Sequence, residues 1–205
     1  MPNVSNIKSK FFGAVDALDA DGLSVAASIG SATTLTLGGT LTSGGSYTSG
    51  DNIGQLITIL SAADDSGITF TIVGTDAVGD AQTEVVTGAD TGTATSSGYF
   101  NTVASITTSG ASAGNVSAGV TGTGTGTVFA GRTRIRGLQG LSGASAGNLL
   151  FKNTSVTGTT LLTVPTQAAA ELIEPYIPDN AVLFDAGAYV NFGSAVATVT
   201  VFYDG

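Results

Sequence analysis

Apolar and polar side chains alternate with a period of two through most of the chain after residue 21. In the segment Ile68–Val73, the side chains of Ile68, Phe70 and Ile72 fall on one side and the intervening threonines on the other. This alternation is typical of a β-sheet with one solvated face. Short polar sequences rich in glycine interrupt it and are predicted to be turns. They are Ser43–Ser46, Asp64–Gly67, Asp76–Gly79 and Ser96–Gly98.

The pattern predicts an all-β protein made of two antiparallel β-sandwich modules, immunoglobulin-like or jelly-roll-like. The strands predicted in the first module are Leu23–Ile29, Thr33–Leu37, Gln55–Leu60, Ile68–Val73, Gln82–Thr87, Val103–Thr108 and Asn115–Val120. Those predicted in the second are Arg132–Leu138, Leu149–Asn153, Thr159–Val164, Ala181–Phe184, Ala188–Phe192 and Ala197–Tyr203. Only Gln167–Ile173, which lies between prolines, could form a helical turn or two.

The chain is predicted to divide into an N-terminal arm (1–21), an acidic β-sandwich module (22–120), a linker (121–130) and a C-terminal β-sandwich module (131–205). Phe11, Phe12, Val15 and Leu18 in the arm have a spacing compatible with a short amphipathic helix. A strand or extended arm that packs both phenylalanines against the body is the alternative. The linker begins with the Thr-Gly repeat 121–127, which has no side chain large enough to fill a core.

Charge is distributed unevenly along the chain, whose net charge is −9. Between residues 11 and 131 there are ten acidic residues and no basic one, whereas residues 132–205 contain four bases and five acids. An acidic module repels nucleic acid and anionic lipid, so we expect it to face solvent and to bind neither. No apolar run approaches the roughly 20 residues that cross a membrane, and the N-terminus lacks a signal-peptide pattern. We therefore expect synthesis in the cytoplasm.

The sequence contains no histidine and no cysteine. It therefore excludes Ser-His-Asp and Cys-His catalysis, and thiolate or imidazole ligands for zinc, haem or iron–sulfur clusters. We expect no enzymatic activity, no cofactor and no metal site. The acidic pairs Asp64/Asp65 and Asp76/Asp80 are interpreted as turn residues, with loop calcium binding as the alternative. A two-carboxylate glycosidase is disfavoured because the chain has no tryptophan to line a sugar cleft.

Basic and aromatic residues provide candidates for docking to a partner. Arg132, Arg134 and Arg136 alternate with Thr133 and Ile135, which places the three arginines on one face of a strand. This stripe is interpreted either as charge that protects an edge strand from aggregation or as a docking surface for an acidic protein. DNA is the least favoured partner. The candidate docking residues are Lys8, Lys10, Phe11, Phe12, Arg132, Arg134 and Arg136.

One internal repeat is literal. The sequence Ser-Gly-Ala-Ser-Ala-Gly-Asn occupies residues 109–115 and again residues 142–148. We interpret each copy as a hairpin loop whose glycines adopt positive φ. Duplication of a module and independent use of the same loop both remain open.

Several segments resemble structural proteins of tailed-phage particles. Gly67–Asp80, Thr83–Gly88 and Phe100–Ile106 look like a β-rich module of phage virion proteins, and Ile177–Phe192 with Ala197–Tyr203 is similar to small capsid decoration proteins. The resemblance implies a capsid decoration, or cement, protein on the virion surface that binds the major capsid protein or other virion proteins. Open strand edges and the apolar segment Leu172–Phe184 favour a homo-oligomer. A neck, tail or fibre component and a bacterial surface adhesion module are the alternatives.

Overall fold

The computed structural model describes residues 6–168 and 170–205, and within them it contains β-strands and no helix. The strand pairs whose residue register is described are antiparallel, so the prediction of an all-β fold with antiparallel sheets is confirmed. In chain order the strands are β1 (Lys8–Phe12), β2 (Asp19–Ser28), β3 (Thr42–Ser43), β4 (Ser46–Thr48), β5 (Gly54–Asp64), β6 (Thr69–Thr75), β7 (Ala81–Thr87), β8 (Asp90–Phe100), β9 (Thr102–Thr108), β10 (Asn115–Phe129), β11 (Thr133–Ser142), β12 (Gly147–Asn153), β13 (Thr160–Thr166), β14 (Leu172–Ile173), β15 (Val182–Phe184), β16 (Ala188–Gly193) and β17 (Val196–Asp204).

The contacts between residues divide the chain into two compact units. Unit 1 contains the residues up to Val15, residues 51–53 and residues 124–205, and unit 2 contains residues 16–50 and 54–123. The first nine residues of β10 therefore belong to unit 2 and the last six to unit 1. Neither unit is a continuous stretch of sequence.

In unit 1, strands β1, β17, β11 and β14 form sheet A in that order, and β15 also pairs with β11. Strands β13, β12 and β16 pair with one another in that order. The apolar core of unit 1 is built around Phe12, Phe151, Phe184 and Phe192, all of which are essentially inaccessible to solvent. Burial of each such side chain contributes about 1.5–3 kcal/mol to folding.

In unit 2, strands β3, β4, β9, β6 and β7 form sheet C in that order. Strand β5 pairs with β8, and β2 pairs with the 115–120 part of β10. The core contains Tyr47, Phe70 and Phe100 together with aliphatic side chains from β2, β5 and β9. The β3–β4 hairpin turns at Gly44 and Gly45, where both φ angles are positive (60° and 80°), as this tight turn requires.

The predicted N-terminal arm contains a regular strand. Residues 8–12 pair with β17 along their whole length, from Lys8 opposite Tyr203 to Phe12 opposite Val199. No helix forms at Phe11–Leu18, so the strand alternative is the one observed. Residues 1–5 of the predicted arm lie outside the described part of the chain.

Residues 121–129 of the predicted linker (121–130) are instead part of β10, a strand of 15 residues. Two of its glycines, Gly124 and Gly126, lie where neighbouring side chains occupy the space that a Cβ would need. A Cβ at Gly124 would lie 2.6 Å from methyl carbons of both Ile53 and Val15, and one at Gly126 would meet the ring of Phe12. Because these glycines have no side chain, the strand can lie directly against the core residues Val15, Ile53 and Phe12.

Three further predictions differ locally from the structure. Residues 33–37 make only an isolated bridge, Thr34 to Thr107. Residues 96–98, predicted as a turn, lie within β8 at a register shift against β5. The described residues of 167–173 contain no helical turn; Ala169 is not described, and Leu172–Ile173 form β14.

Both copies of the repeated sequence connect strands of different sheets, so they are not hairpin loops. The first joins β9 to β10, and the second joins β11 to β12. Positive φ angles occur at other glycines of the described chain. Ser109 and Ser142, the first residues of the two copies, make the same pair of bonds: Ser109 accepts the Thr69 N–H on its Oγ and donates its own N–H to the Thr69 carbonyl, and Ser142 does the same with Glu171.

Candidate docking surface

The arginine stripe alternates as the sequence predicts, but it does not lie on an edge strand. Thr133 and Ile135 are buried, whereas Arg134 is partly exposed and Arg136 is exposed. Strand β11 pairs with β17 on one side and with β14 and β15 on the other. The interpretation as protection of a sheet edge is therefore wrong for this strand, because its edges are already paired.

Two of the three arginines form hydrogen bonds within the chain. Arg134 Nη1 donates to the carbonyl of Asn180 at 2.6 Å, and Arg136 Nη1 donates to that of Asp179 at 3.1 Å. Arg136 also forms an ion pair with Asp204, with its Nε 2.7 Å from Oδ2. These bonds fix the turn that precedes β15, so Arg134 and Arg136 have a structural role whether or not they also contact a partner.

Lys8 and Arg132 flank the carboxy-terminal end of β17. Lys8 Nζ donates to the carbonyl oxygen of Gly205 at 2.9 Å and lies 5.5 Å from the centre of the Phe129 ring. The side chain of Arg132 is 66% exposed, and its Nε lies 3.9 Å from a carboxylate oxygen of Asp185. An ion pair this open and long contributes little to stability. Of the three arginines, Arg132 is therefore the one with most of its charge available to a partner.

The residues predicted for docking on β1 lie on its two faces. Lys8, Lys10 and Phe12 share one face by alternation, and Phe11 lies on the other. Phe12 is completely buried in the core of unit 1, so its expected docking role is replaced by a core role. Phe11 is 42% exposed. In the strand order of sheet A, β1 is an edge strand.

The face of sheet A that points away from the core carries apolar side chains that sequence reasoning did not bring together. Phe11 pairs with Thr200, and Leu141 lies opposite both Thr198 and Leu172. Leu172 is 62% exposed and Leu141 is 41% exposed. Phe202, on the same face, is half-buried beside Gly137. We call Phe11, Leu141, Leu172 and Phe202 the sheet A patch.

Charge separates between the two units more sharply than the sequence boundary at residue 131 suggested. Unit 1 contains all six basic residues of the chain and six acidic ones. Unit 2 contains nine acidic residues and no basic one. The reassignment of the N-terminal lysines to unit 1 produces this separation, since β1 pairs with the last strand of the chain. The entire net charge therefore belongs to unit 2.

The acidic turns are held by their own side chains. Asp64 Oδ1 accepts bonds from the Ser66 N–H (3.0 Å) and the Ser66 hydroxyl (2.6 Å), and these donors lower the pKa of Asp64. Asp76 Oδ1 accepts from the N–H groups of Val78 and Asp80. This geometry supports the interpretation as turn residues. Within residues 6–168 and 170–205 no group of three or more acidic side chains could hold a metal ion.

Unit 2 also contains a buried polar network that the sequence did not suggest. The hydroxyl of Tyr47 lies 2.8 Å from Asp16 Oδ2 and 2.9 Å from Gln55 Oε1, which also accepts from Ser49 and from the Asp16 N–H. Burial raises the pKa of the Tyr47 hydroxyl, and the nearby Asp16 carboxylate adds to this effect. The four residues are separated along the chain, and no spacing rule links them. The network fixes the first residue of unit 2 to β4 and β5.

No family model matches the chain, and searches of curated proteins and of solved structures also give no match.

The residues that the structure describes form no helix, so they include no helix that is long and apolar enough to cross a membrane.

Proposed function

We propose that the chain is a structural component of tailed-phage particles, most specifically a decoration or cement protein that binds the assembled capsid. The observation that carries this proposal is the separation of charge. Unit 1 is electrically balanced and presents exposed apolar and basic side chains, whereas unit 2 has nine acids and no base. In this proposal unit 1 adheres and unit 2 faces solvent, where its charge keeps particles apart.

The partner that fits unit 1 is an acidic protein surface such as that of a major capsid protein. Lys10 lies on an edge strand, and the largely exposed Arg132 precedes β11 at the end of sheet A where Lys8 also lies. An edge strand offers main-chain groups for pairing, and flanking cations attract an acidic surface before contact. This proposal also includes the sequence-based prediction that the chain contains two antiparallel β-sandwich modules.

The proposed mechanism is stabilisation by linkage. A protein that binds the assembled shell and not its separated subunits shifts the equilibrium away from rupture, by its binding free energy at every occupied site. Many weak contacts are sufficient, because each bound copy contributes at its own position on the shell. This mechanism requires adhesion and no catalytic turnover.

The copy number in purified particles tests the proposal. Particles isolated on a density gradient from cells that produce the chain should contain it in numbers comparable with the shell subunits, as measured by quantitative mass spectrometry. A few copies per particle would overturn the decoration role in favour of a neck, tail or fibre component. Complete absence from particles would overturn the virion assignment.

A matched pair of lysine substitutions tests the docking edge. Lys10→Gln removes a cation from β1, and Lys152→Gln removes one from β12 in the same unit. We expect Lys10→Gln to lower the amount retained on particles after a wash at moderate salt, and Lys152→Gln to leave it unchanged. Equal retention of both variants would contradict a docking role for the β1 edge.

A further inference from the structure

We propose that the sheet A patch is a contact between two copies of this chain, related by a twofold axis. This inference goes beyond the proposed function, and it can hold or fail independently of binding to a capsid. The starting observation is that Leu141 and Leu172 lie directly opposite each other on β11 and β14, and both remain substantially exposed. Two neighbouring leucines left open on one face are more than scattered surface apolar residues.

The patch extends across sheet A. Phe11 on β1, Phe202 on β17 and Leu141 on β11 lie on the face opposite the core, separated by Thr198, Thr200 and Gln139. Such a mixture of large apolar and small polar side chains is what a second sheet can pack against at a spacing of about 10 Å. At one end of the face, Arg136 is already paired with Asp204. This pair is compensated within each copy, whereas the neighbouring Arg134 donates to the carbonyl oxygen of Asn180.

The charge distribution selects a second copy as the occupant of this face. Any self-contact through unit 2 would place nine acids against nine acids, with no base to compensate them. Unit 1 contains equal numbers of acids and bases, so it is the part of the molecule through which two copies can meet without this repulsion. In a twofold contact both copies use the same patch. Each apolar residue of the patch is therefore buried in both copies, and a substitution there changes the interface at two places.

The area of the face predicts a weak dimer. Strand β11 has 10 residues, about 34 Å at the usual rise, and four strands span about 15–19 Å. The face therefore offers at most roughly 600 Å² per copy, below the roughly 800 Å² of a standard interface. We expect a dissociation constant in the micromolar range. The contact would then depend on concentration, and it would strengthen where copies are held close together.

Sedimentation equilibrium of the purified full chain tests the contact, with matched substitutions at exposed strand positions. Leu172→Thr changes the patch, and Val85→Thr makes a similar change on β7 of unit 2, where Val85 is 59% exposed. Leu172→Thr should raise the dissociation constant about tenfold or more, because the symmetry removes the leucine from both sides. Val85→Thr should leave it unchanged. A monomer at every concentration, or equal effects of the two substitutions, would overturn the proposal.

The salt dependence of the dimer dissociation constant provides a second test, which a general loss of structure in a variant cannot imitate. Because screening reduces the repulsion between the two copies of unit 2, the wild-type dimer should tighten several-fold as salt rises from about 0.05 M to about 0.5 M. A contact held by ion pairs would weaken instead, and that result would contradict the proposal.

A cross-link keeps the test valid if Leu172→Thr folds poorly. The chain has no cysteine, so Gln139→Cys on the exposed face of β11 introduces a single thiol beside the patch. Oxidised glutathione should convert this variant into a disulfide-linked dimer much faster than Val85→Cys. Equal rates for the two variants would contradict a specific contact through sheet A.

Discussion

Tyr47 shows how one buried polar side chain organises its surroundings. It is completely buried, and its single hydroxyl proton has two acceptors within reach, a carboxylate oxygen of Asp16 and the amide oxygen of Gln55. The carboxylate is the stronger acceptor, and Gln55 has other donors in Ser49 and the Asp16 main chain. We therefore expect the proton to lie towards Asp16.

The raised pKa of Tyr47 predicts a loss of stability at alkaline pH. Above about pH 10 the unfolded chain releases the tyrosine proton and the folded chain retains it, so the free energy of unfolding falls by up to about 1.4 kcal/mol per pH unit. Tyr47→Phe should cost about 1 kcal/mol near pH 8 through the lost hydrogen bond. Near pH 11 the wild type should have lost about 1.4 kcal/mol that the variant does not lose, so the order of stability should reverse slightly in favour of the variant. Urea unfolding at both pH values measures it.

Tyr176→Phe is the control for this prediction, because Tyr176 is 86% exposed. Its unfolding curves should follow the wild type at both pH values. A constant difference between the wild type and Tyr47→Phe across the alkaline range would show that the buried hydroxyl does not titrate differently in the folded and unfolded chains.

At the scale of strands, β10 shows how glycine can build a core. Its Thr-Gly sequence lacks large side chains, yet Gly124 and Gly126 are buried because Val15, Ile53 and Phe12 occupy the space beside them. The large side chains come from distant parts of the sequence, and the glycines accommodate them. Small-residue repeats of this kind are therefore compatible with an interior strand.

A single added methyl group should reveal this packing. At Gly126 a Cβ would lie 2.6 Å from the main-chain oxygen of Asn52, and closer still to the ring of Phe12. Gly126→Ala should therefore destabilise the protein by about 1–3 kcal/mol through overpacking. Gly67→Ala is the control, because its Cβ meets no atom within 4 Å. Chemical denaturation that shows equal stability for the two variants would contradict the close approach in β10.

The two arginines that hold the turn before β15 give a prediction at the same scale. Arg136→Ala removes bonds to Asp204 and to the Asp179 carbonyl, and it should cost about 1 kcal/mol, since the pair is partly exposed. Arg132→Ala loses only a long, exposed ion pair and should cost less than about 0.5 kcal/mol. Thermal unfolding measures both, and the opposite ranking would contradict the structural role of Arg136.

Local alternation predicted the strands that have one wet and one dry face, such as β6, because that information is contained in neighbouring residues. It failed where distant residues decide the structure. Ser96-Ser-Gly98 has a turn composition, but the Glu84 carboxylate accepts the N–H groups of Ser97 and Gly98 and holds the segment as a bulge in β8. The sheet A patch was equally invisible, because Leu172 reaches Leu141 only through the pairing of β14 with β11.

For the molecule as a whole, charge opposes the folding of unit 2. Its nine acidic residues have no basic neighbour within the unit, and Asp64 lies directly opposite Asp90 in the β5–β8 register. Like charges opposite each other in a sheet destabilise the strand pair. The uncompensated negative charge of unit 2 is therefore expected to lower the stability of the unit itself.

Reversal of one charge should relieve this penalty. Asp90→Lys places a cation opposite Asp64, so the denaturation midpoint should rise at low ionic strength (about 0.01 M) and the gain should shrink at about 1 M salt. Asp80→Lys is the comparison, since Asp80 lies outside that register. If Asp90→Lys gives no larger gain than Asp80→Lys, general charge reduction and not the cross-strand pair explains the effect.

The pairing of β1 with β17 has a consequence for biosynthesis. Every residue of unit 2 has left the ribosome's catalytic centre once residue 123 is made, so this unit can close early. Strand β1 is synthesised before unit 2. It can pair with β17 only after most of the chain has been made, because Lys8 lies opposite Tyr203. During translation Phe11 and Phe12 therefore remain without their partner strand until β17 is made, and unpaired apolar strands of this kind are the regions from which incompletely folded chains aggregate.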